Sequence, residues 1–254
     1  MLRFITSLFF LLNLGTVLGQ SKPIDTQPKD TVVYKQSYGI RAGIDLSRIV
    51  TGQLDENYRG LEIVADYRLT QNLYLAAELG TEEKTRQEDL YNFTSSGSYV
   101  KVGVDKNTYA NWYGEQNSIF MGGRLAYSAH SQTLNNYQIF DSNRYWNPDG
   151  FGQGSDIAEE FSGRSAFWLE GVFGTKVELF ANIFLGASVR LGFLLTNPSK
   201  EERFPDLFIP GFNKVTDNSK FGVGYNYSIS YFLPLYKKRK KVKKKIETLE
   251  EENQ

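Results

Sequence analysis

The sequence predicts an all-β protein, an eight-stranded antiparallel up-and-down transmembrane β-barrel with long extracellular loops and a charged C-terminal tail. Three observations predict it. Long segments alternate apolar and polar residues with a period of two, the signature of strands that have one apolar face. Two of these alternating pairs meet at tight turns on Asn72 and Asn182, in Arg68-Leu69-Thr70-Gln71-Asn72-Leu73-Tyr74 and Glu178-Leu179-Phe180-Ala181-Asn182-Ile183-Phe184. The chain also opens like an exported protein. Arg3 precedes a short apolar stretch, 4–14, and Val17-Leu18-Gly19 offers a cleavage site, so residues 1–19 read as a signal peptide. An uncleaved anchor is the alternative, but the apolar run is too short for a spanning helix.

Eight strands follow in order. The first, 39–47, puts Ile40, Ala42, Ile44 and Leu46 on one face and Arg41 and Asp45 on the other. The second, 59–69, sets Leu61, Ile63, Ala65, Tyr67 and Leu69 against Glu62, Asp66 and Arg68. The third, 72–81, sets Leu73, Leu75, Ala77 and Leu79 against Tyr74 and Glu78. The fourth, 97–105, sets Val100, Val102 and Val104 against Tyr99, Lys101 and Asp105. The fifth, 118–129, has Ile119, Met121, Leu125 and Tyr127 opposite Arg124. The sixth, 165–179, has Phe167, Leu169, Phe173, Val177 and Leu179 opposite Trp168, Glu170, Lys176 and Glu178. The seventh, 182–195, carries Ile183, Leu185, Ala187, Val189, Leu191 and Phe193 opposite Arg190. The eighth, 220–233, alternates Phe221, Val223, Tyr225, Tyr227, Ile229 and Tyr231 with Gly222, Gly224, Asn226, Ser228 and Ser230.

Most of these runs reach the roughly 9–11 residues that a tilted strand needs to cross a bilayer. The connections sort by length. With a periplasmic N-terminus, the turns at Asn72 and Asn182 and the longer-than-ideal connection 106–117 lie on the periplasmic side, while 82–96, 130–164 and 196–219 lie outside, the asymmetry of outer-membrane barrels. The barrel is expected to span 37–236, after a periplasmic segment 20–36 and before a charged periplasmic tail 237–254.

The second face decides the orientation. It carries Arg41, Asp45, Glu62, Asp66, Arg68, Glu78, Lys101, Asp105, Arg124, Glu170, Lys176, Glu178 and Arg190. A basic side chain facing lipid at mid-depth costs about 2–4 kcal/mol, whereas an eight-stranded lumen is just wide enough to be filled by side chains. The expectation is a closed, salt-bridged lumen without a pore. On this assignment Val102→Arg should impair assembly, and Asn226→Asp should be tolerated far better. A soluble lipocalin-like periplasmic binding barrel, with the faces reversed, is the alternative.

Composition restricts the chemistry. There is no Cys, hence no thiol, disulfide or lipidated Cys. Of 29 basic residues, Arg3 and eight in 237–245 lie outside the body, leaving 20; of 29 acidic residues, four lie in the tail, leaving 25. The body is therefore acidic, which argues against nucleic acid as a partner. The basic run 237–245 suits anionic headgroups or an anionic envelope polymer, or else a solvated tail. The lone His130 stands beside Ser131. Neighbours on a strand point to opposite faces, so the two make no dyad; Ser128 shares the face of His130, and a rim lipid hydrolase is a minor alternative. No catalytic, metal or cofactor site is expected, and the protein is not read as an enzyme. The aromatic-rich loop 130–164 reads as a binding surface or a self-packed lid.

The chain resembles the small outer-membrane β-barrel proteins of the OmpA/OmpX-like superfamily, and within it a branch of unknown function. The resemblance is carried by Tyr38-Gly39-Ile40-Arg41-Ala42-Gly43-Ile44-Asp45, by Asn182-Ile183-Phe184-Leu185-Gly186-Ala187-Ser188-Val189-Arg190-Leu191, and by Gly224-Tyr225-Asn226-Tyr227-Ser228-Ile229-Ser230-Tyr231. It covers about residues 36–236. It implies a barrel in the outer membrane, contact with outer-membrane lipid, and a structural or surface-binding role. Many such barrels end on an aromatic residue; here a charged tail follows Tyr236.

Overall fold

Eight antiparallel strands close into a ring in the computed structural model, which describes residues 35–109, 115–139, 152–198, 204–214 and 220–239. All of these belong to the compact unit Tyr34–Gln254. The signal peptide, most of the segment 20–36 and the tail from 240 lie outside the described residues.

The wall is built from β1 (Lys35–Asp45), β2 (Tyr58–Arg68), β3 (Leu73–Gln87), β4 (Tyr91–Asn107), β5 (Ser118–Ile139), β7 (Glu159–Phe180), β8 (Ile183–Thr196) and β11 (Phe221–Arg239). Each pairs with the next, and β11 returns to β1 through Ile44↔Ile229. Short β6 (Gly152–Ser155) pairs with the end of β5. A separate two-stranded hairpin joins β9 (Phe208–Ile209) to β10 (Asn213–Lys214).

The alternation has a direct physical consequence. Leu75 is 43% exposed, Val102 47% and Leu185 42%, all on the outer wall, while Arg41, Arg124 and Arg190 are buried. Closing the ring leaves no strand edge along most of the wall, which removes the usual liability of an open sheet.

Several boundaries differ from the sequence reading. The segment 82–96 is not a long loop: β3 runs on to Gln87 and β4 starts at Tyr91, joined by Glu88-Asp89-Leu90. Here polar residues fill the outer face and most of the inner one, so apolar alternation fades although the ladder continues, with Thr85 and Thr94 hydroxyls 2.9 Å apart. Likewise β5 extends into 130–139 and β7 begins at Glu159. At about 3.3 Å per residue, these 22-residue strands project well past an apolar band of about 25 Å.

The first strand ends at Asp45, and Leu46–Leu54 forms a helix, α1. Asp45 caps it, its Oδ1 accepting from Ser47 N at 2.8 Å. At the other end of the chain, Lys237, Lys238 and Arg239 are not tail but strand, paired with Ser37, Gln36 and Lys35.

The two Asn turns also differ. Ala181 and Asn182 both take positive φ, 38° and 71°, which makes a tight two-residue hairpin turn. Asn72 does not take positive φ; its turn is longer, with Leu69 N and Thr70 N both donating to Leu73 O.

Candidate functional site

The lumen is filled in three layers. Nearest the Asn turns, Arg68 donates to Thr70 O, Gln71 O and Ser37 O at 3.1, 2.7 and 3.3 Å. Its guanidinium lies 5.1 Å from the Tyr38 ring, which stacks on Tyr236 at 5.5 Å. Phe184 and Phe232 close this layer edge to face at 6.4 Å.

The middle layer is ionic. Arg41 donates to Asp66 at 3.0 Å, and Lys176 donates to the same carboxylate at 2.6 Å. Arg124 grips Asp105 through two bonds, 2.7 and 2.9 Å, and reaches Glu78 at 3.4 Å. Arg190 bridges Glu78 at 2.6 Å and Glu62 at 3.3 Å. Lys101 pairs with Glu170 at 2.8 Å, and Trp168 Nε1 donates to that oxygen at 2.7 Å. Thus Arg41, Lys101, Arg124, Lys176 and Arg190 face five carboxylates, the ten groups together drawn from seven strands. A charge removed from water is tolerated only when paired and hydrogen-bonded, and Glu62 gains two further donors, Tyr99 at 2.6 Å and Asn226 at 3.0 Å. The space left among these side chains is about 30 Å³, room for a water or two.

The outer layer is a plug. Residues 204–214 fold down between the strands. Ile209-Pro210-Gly211-Phe212 makes a turn closed by Phe212 N donating to Ile209 O at 3.0 Å, with Gly211 at φ 83°. That is the geometry of a type II turn, with Pro second and Gly third. A Cβ on Gly211 would stand 2.5 Å from the Tyr99 ring. The wall holds the plug by its backbone: Ser95 donates to Phe208 O at 2.8 Å, Lys101 to Gly211 O at 2.9 Å, and Gly211 N to Glu82 at 2.6 Å. Ile209 and Phe212 pack with Tyr99, Ala126, Ala166, Trp168 and Leu194. Arg164 clamps Asp206 at 2.6 Å, and His130 Nε2 lies 3.3 Å from the same oxygen. Burial works against ionisation of Asp206, yet His130 and Arg164 beside it outweigh the burial and hold the carboxyl below its ordinary value.

A family model described as a domain of unknown function, DUF6048, matches residues 1–238. The chain belongs to that family. No curated protein matches it. Among solved structures, Ail, the attachment invasion locus protein of Yersinia pestis, is similar at 13% identity, over 79% of this chain and 99% of that chain, with a TM-score of 0.37.

Three of the residues assigned to a lumen charge network sit elsewhere in the chemistry. Arg68 is held by backbone carbonyls of its own turn. Glu178 accepts from Asn182 N at 3.1 Å, so it braces the other turn. Asp45 is the cap of α1, with Arg48 3.6 Å away. Asn226 donates to Glu62, so an aspartate at that position would set a second carboxylate beside it.

Other participants were invisible to strand alternation. Arg48 enters from α1, ion-pairs with Glu82 and lies 3.8 Å from Glu62. Tyr58 donates to Glu82 as well. Asp206 and the whole plug come from a loop whose contacts cross more than 40 residues of chain. The one local signal was the Pro210-Gly211 turn pair.

Proposed function

We propose that this chain is a non-catalytic outer-membrane β-barrel protein, exported by a cleavable signal, with a closed lumen and a structural or surface-binding role. One observation carries the reading: an apolar outer wall encloses an interior whose central charges are ion-paired. Burying charge inside while leaving Leu, Val and Phe exposed around the ring is the arrangement that hydrocarbon selects and water selects against. A lipocalin-like cup needs the reverse.

The closed lumen is supported by the three filled layers, each blocking at a different depth. The absence of catalysis is supported by how the candidate groups are occupied. His130 is turned to Asp206, and the Ser128 hydroxyl points to Ser98 O. No cofactor has a role in this reading. The partners are the lipid of the outer membrane and, at the basic run 237–245, anionic headgroups or an anionic envelope polymer. Lys238 already sits 4.8 Å from the Tyr38 ring at the end of the wall. No nucleic acid is involved.

Cell fractionation with heat-modifiable gel mobility tests the proposal. Recovery in the outer membrane, with a faster-migrating unheated band, is the expected result. Recovery in the soluble periplasm refutes it.

A further inference from the structure

Among the described residues, no ladder joins the outer ends of β2 and β11, which leaves a seam in the wall. The pairing of β1 stops at Asp45↔Ser228 on one side and Ile44↔Ile63 on the other. Beyond it, the outer ends of β2 and β11 face each other across α1 and the β9–β10 hairpin. The free edge of β11 is stitched by side chains: Asp45 accepts from Tyr227 N at 3.3 Å, and Asn213 donates to Val223 O at 3.2 Å.

A cavity of about 310 Å³ opens in this seam. Its inner wall carries Ser47, Arg48, Lys84 and Arg86, with the rings of Tyr58 and Phe208 beside them. Its lip is Val223 and Tyr225, which stand 66% and 58% exposed on the outer wall. Arg48 is spent on Glu82. Lys84 is not: its ammonium lies 5.7 Å from the Tyr58 ring and 5.8 Å from the Phe208 ring, and among the described residues it has no ion-pair partner. A cation held in a half-buried site without a carboxylate attracts an anion more strongly than it would in bulk water.

We propose that this seam binds the phosphate headgroup of an acylated membrane lipid, with Lys84 as its anion contact and an acyl chain along Val223 and Tyr225. The position of the lip favours a lipid over a free anion, because the opening is continuous with the apolar outer wall. The proposal rests on the membrane reading above and specifies one of its ligands.

The full chain would be placed in nanodiscs of equimolar phosphatidylglycerol and phosphatidylcholine, and retained lipid counted by native mass spectrometry. The expected result is preferential retention of phosphatidylglycerol. Lys84→Gln should lower it about fivefold, the effect of one basic group at an anionic surface, and Lys84→Arg should restore it. Excess inorganic phosphate should not displace the lipid. Equal retention of both lipids, no change in Lys84→Gln, or displacement by phosphate overturns the proposal. A chain that does not enter nanodiscs refutes the membrane reading and this site with it; one that inserts without lipid preference refutes only the site.

Discussion

The middle of the lumen and its outer mouth are filled by opposite means. The middle is packed with side chains of the wall itself, cation against carboxylate, strand to strand. The mouth holds an inserted loop, anchored through its backbone, two apolar residues and the Arg164–Asp206 ion pair. The difference teaches where rigidity comes from. Central ions are locked by mutual dependence, since each lost partner strands another charge. The plug is a separate segment held to the wall by individual bonds rather than by a ladder, so it is expected to loosen without the wall opening.

That comparison is open to attack. The largest effect should come from Arg190→Ala, which strips Glu78 and Glu62 of a shared cation; about 3–5 kcal/mol is expected, read as a fall in the urea midpoint of the folded gel band. Val102→Arg, one ladder position from Lys101 but on the outer wall, should cost about 2–4 kcal/mol in lipid, measured the same way. Gly211→Ala forces a side chain into a left-handed backbone and against Tyr99; about 1–3 kcal/mol is expected. Its mark should be local: faster hydrogen exchange in 204–214 with the central strands unchanged. Uniform loss of protection would erase the distinction between the two regions.

The smallest effect is with pH. A carboxyl held below its ordinary value in the fold stabilises fully above that value and loses the contribution as pH falls through the lowered one. Asp206, ordinarily at 3.8, should therefore keep the plug seated from neutral pH down to that range and loosen it only in stronger acid. Exchange in 204–214 that rises already between pH 7 and 5 would contradict the Asp206 clamp.

The fold was legible wherever one face of a strand was apolar and the other polar. Val100, Val102 and Val104 against Tyr99, Lys101 and Asp105 carried enough contrast to assign both faces. Legibility failed where the contrast vanished. Residues 82–87 and 91–96 carry mostly polar side chains on both faces, although Glu82, Phe93 and Ser95 are buried inward, so no apolar period remained to mark them as strand. The helix α1 was written locally, in the Asp45 cap and the Ser47 it binds, but the apolar Leu46 extended the alternation and hid it. The ionic layer was half legible: alternation collects Arg41, Asp66, Arg124 and Arg190 on one face without saying which meets which. Arg48, Asp206 and the plug reach the lumen from connections, and only long-range closure brings them there.

The central claim is that the outer wall faces hydrocarbon. The chain has no cysteine, so single labels are clean. Spin labels at Leu75→Cys, Val102→Cys and Leu185→Cys, in lipid vesicles, should collide readily with oxygen and rarely with a water-soluble nickel chelate. Ready collision with the nickel chelate at all three positions would contradict it.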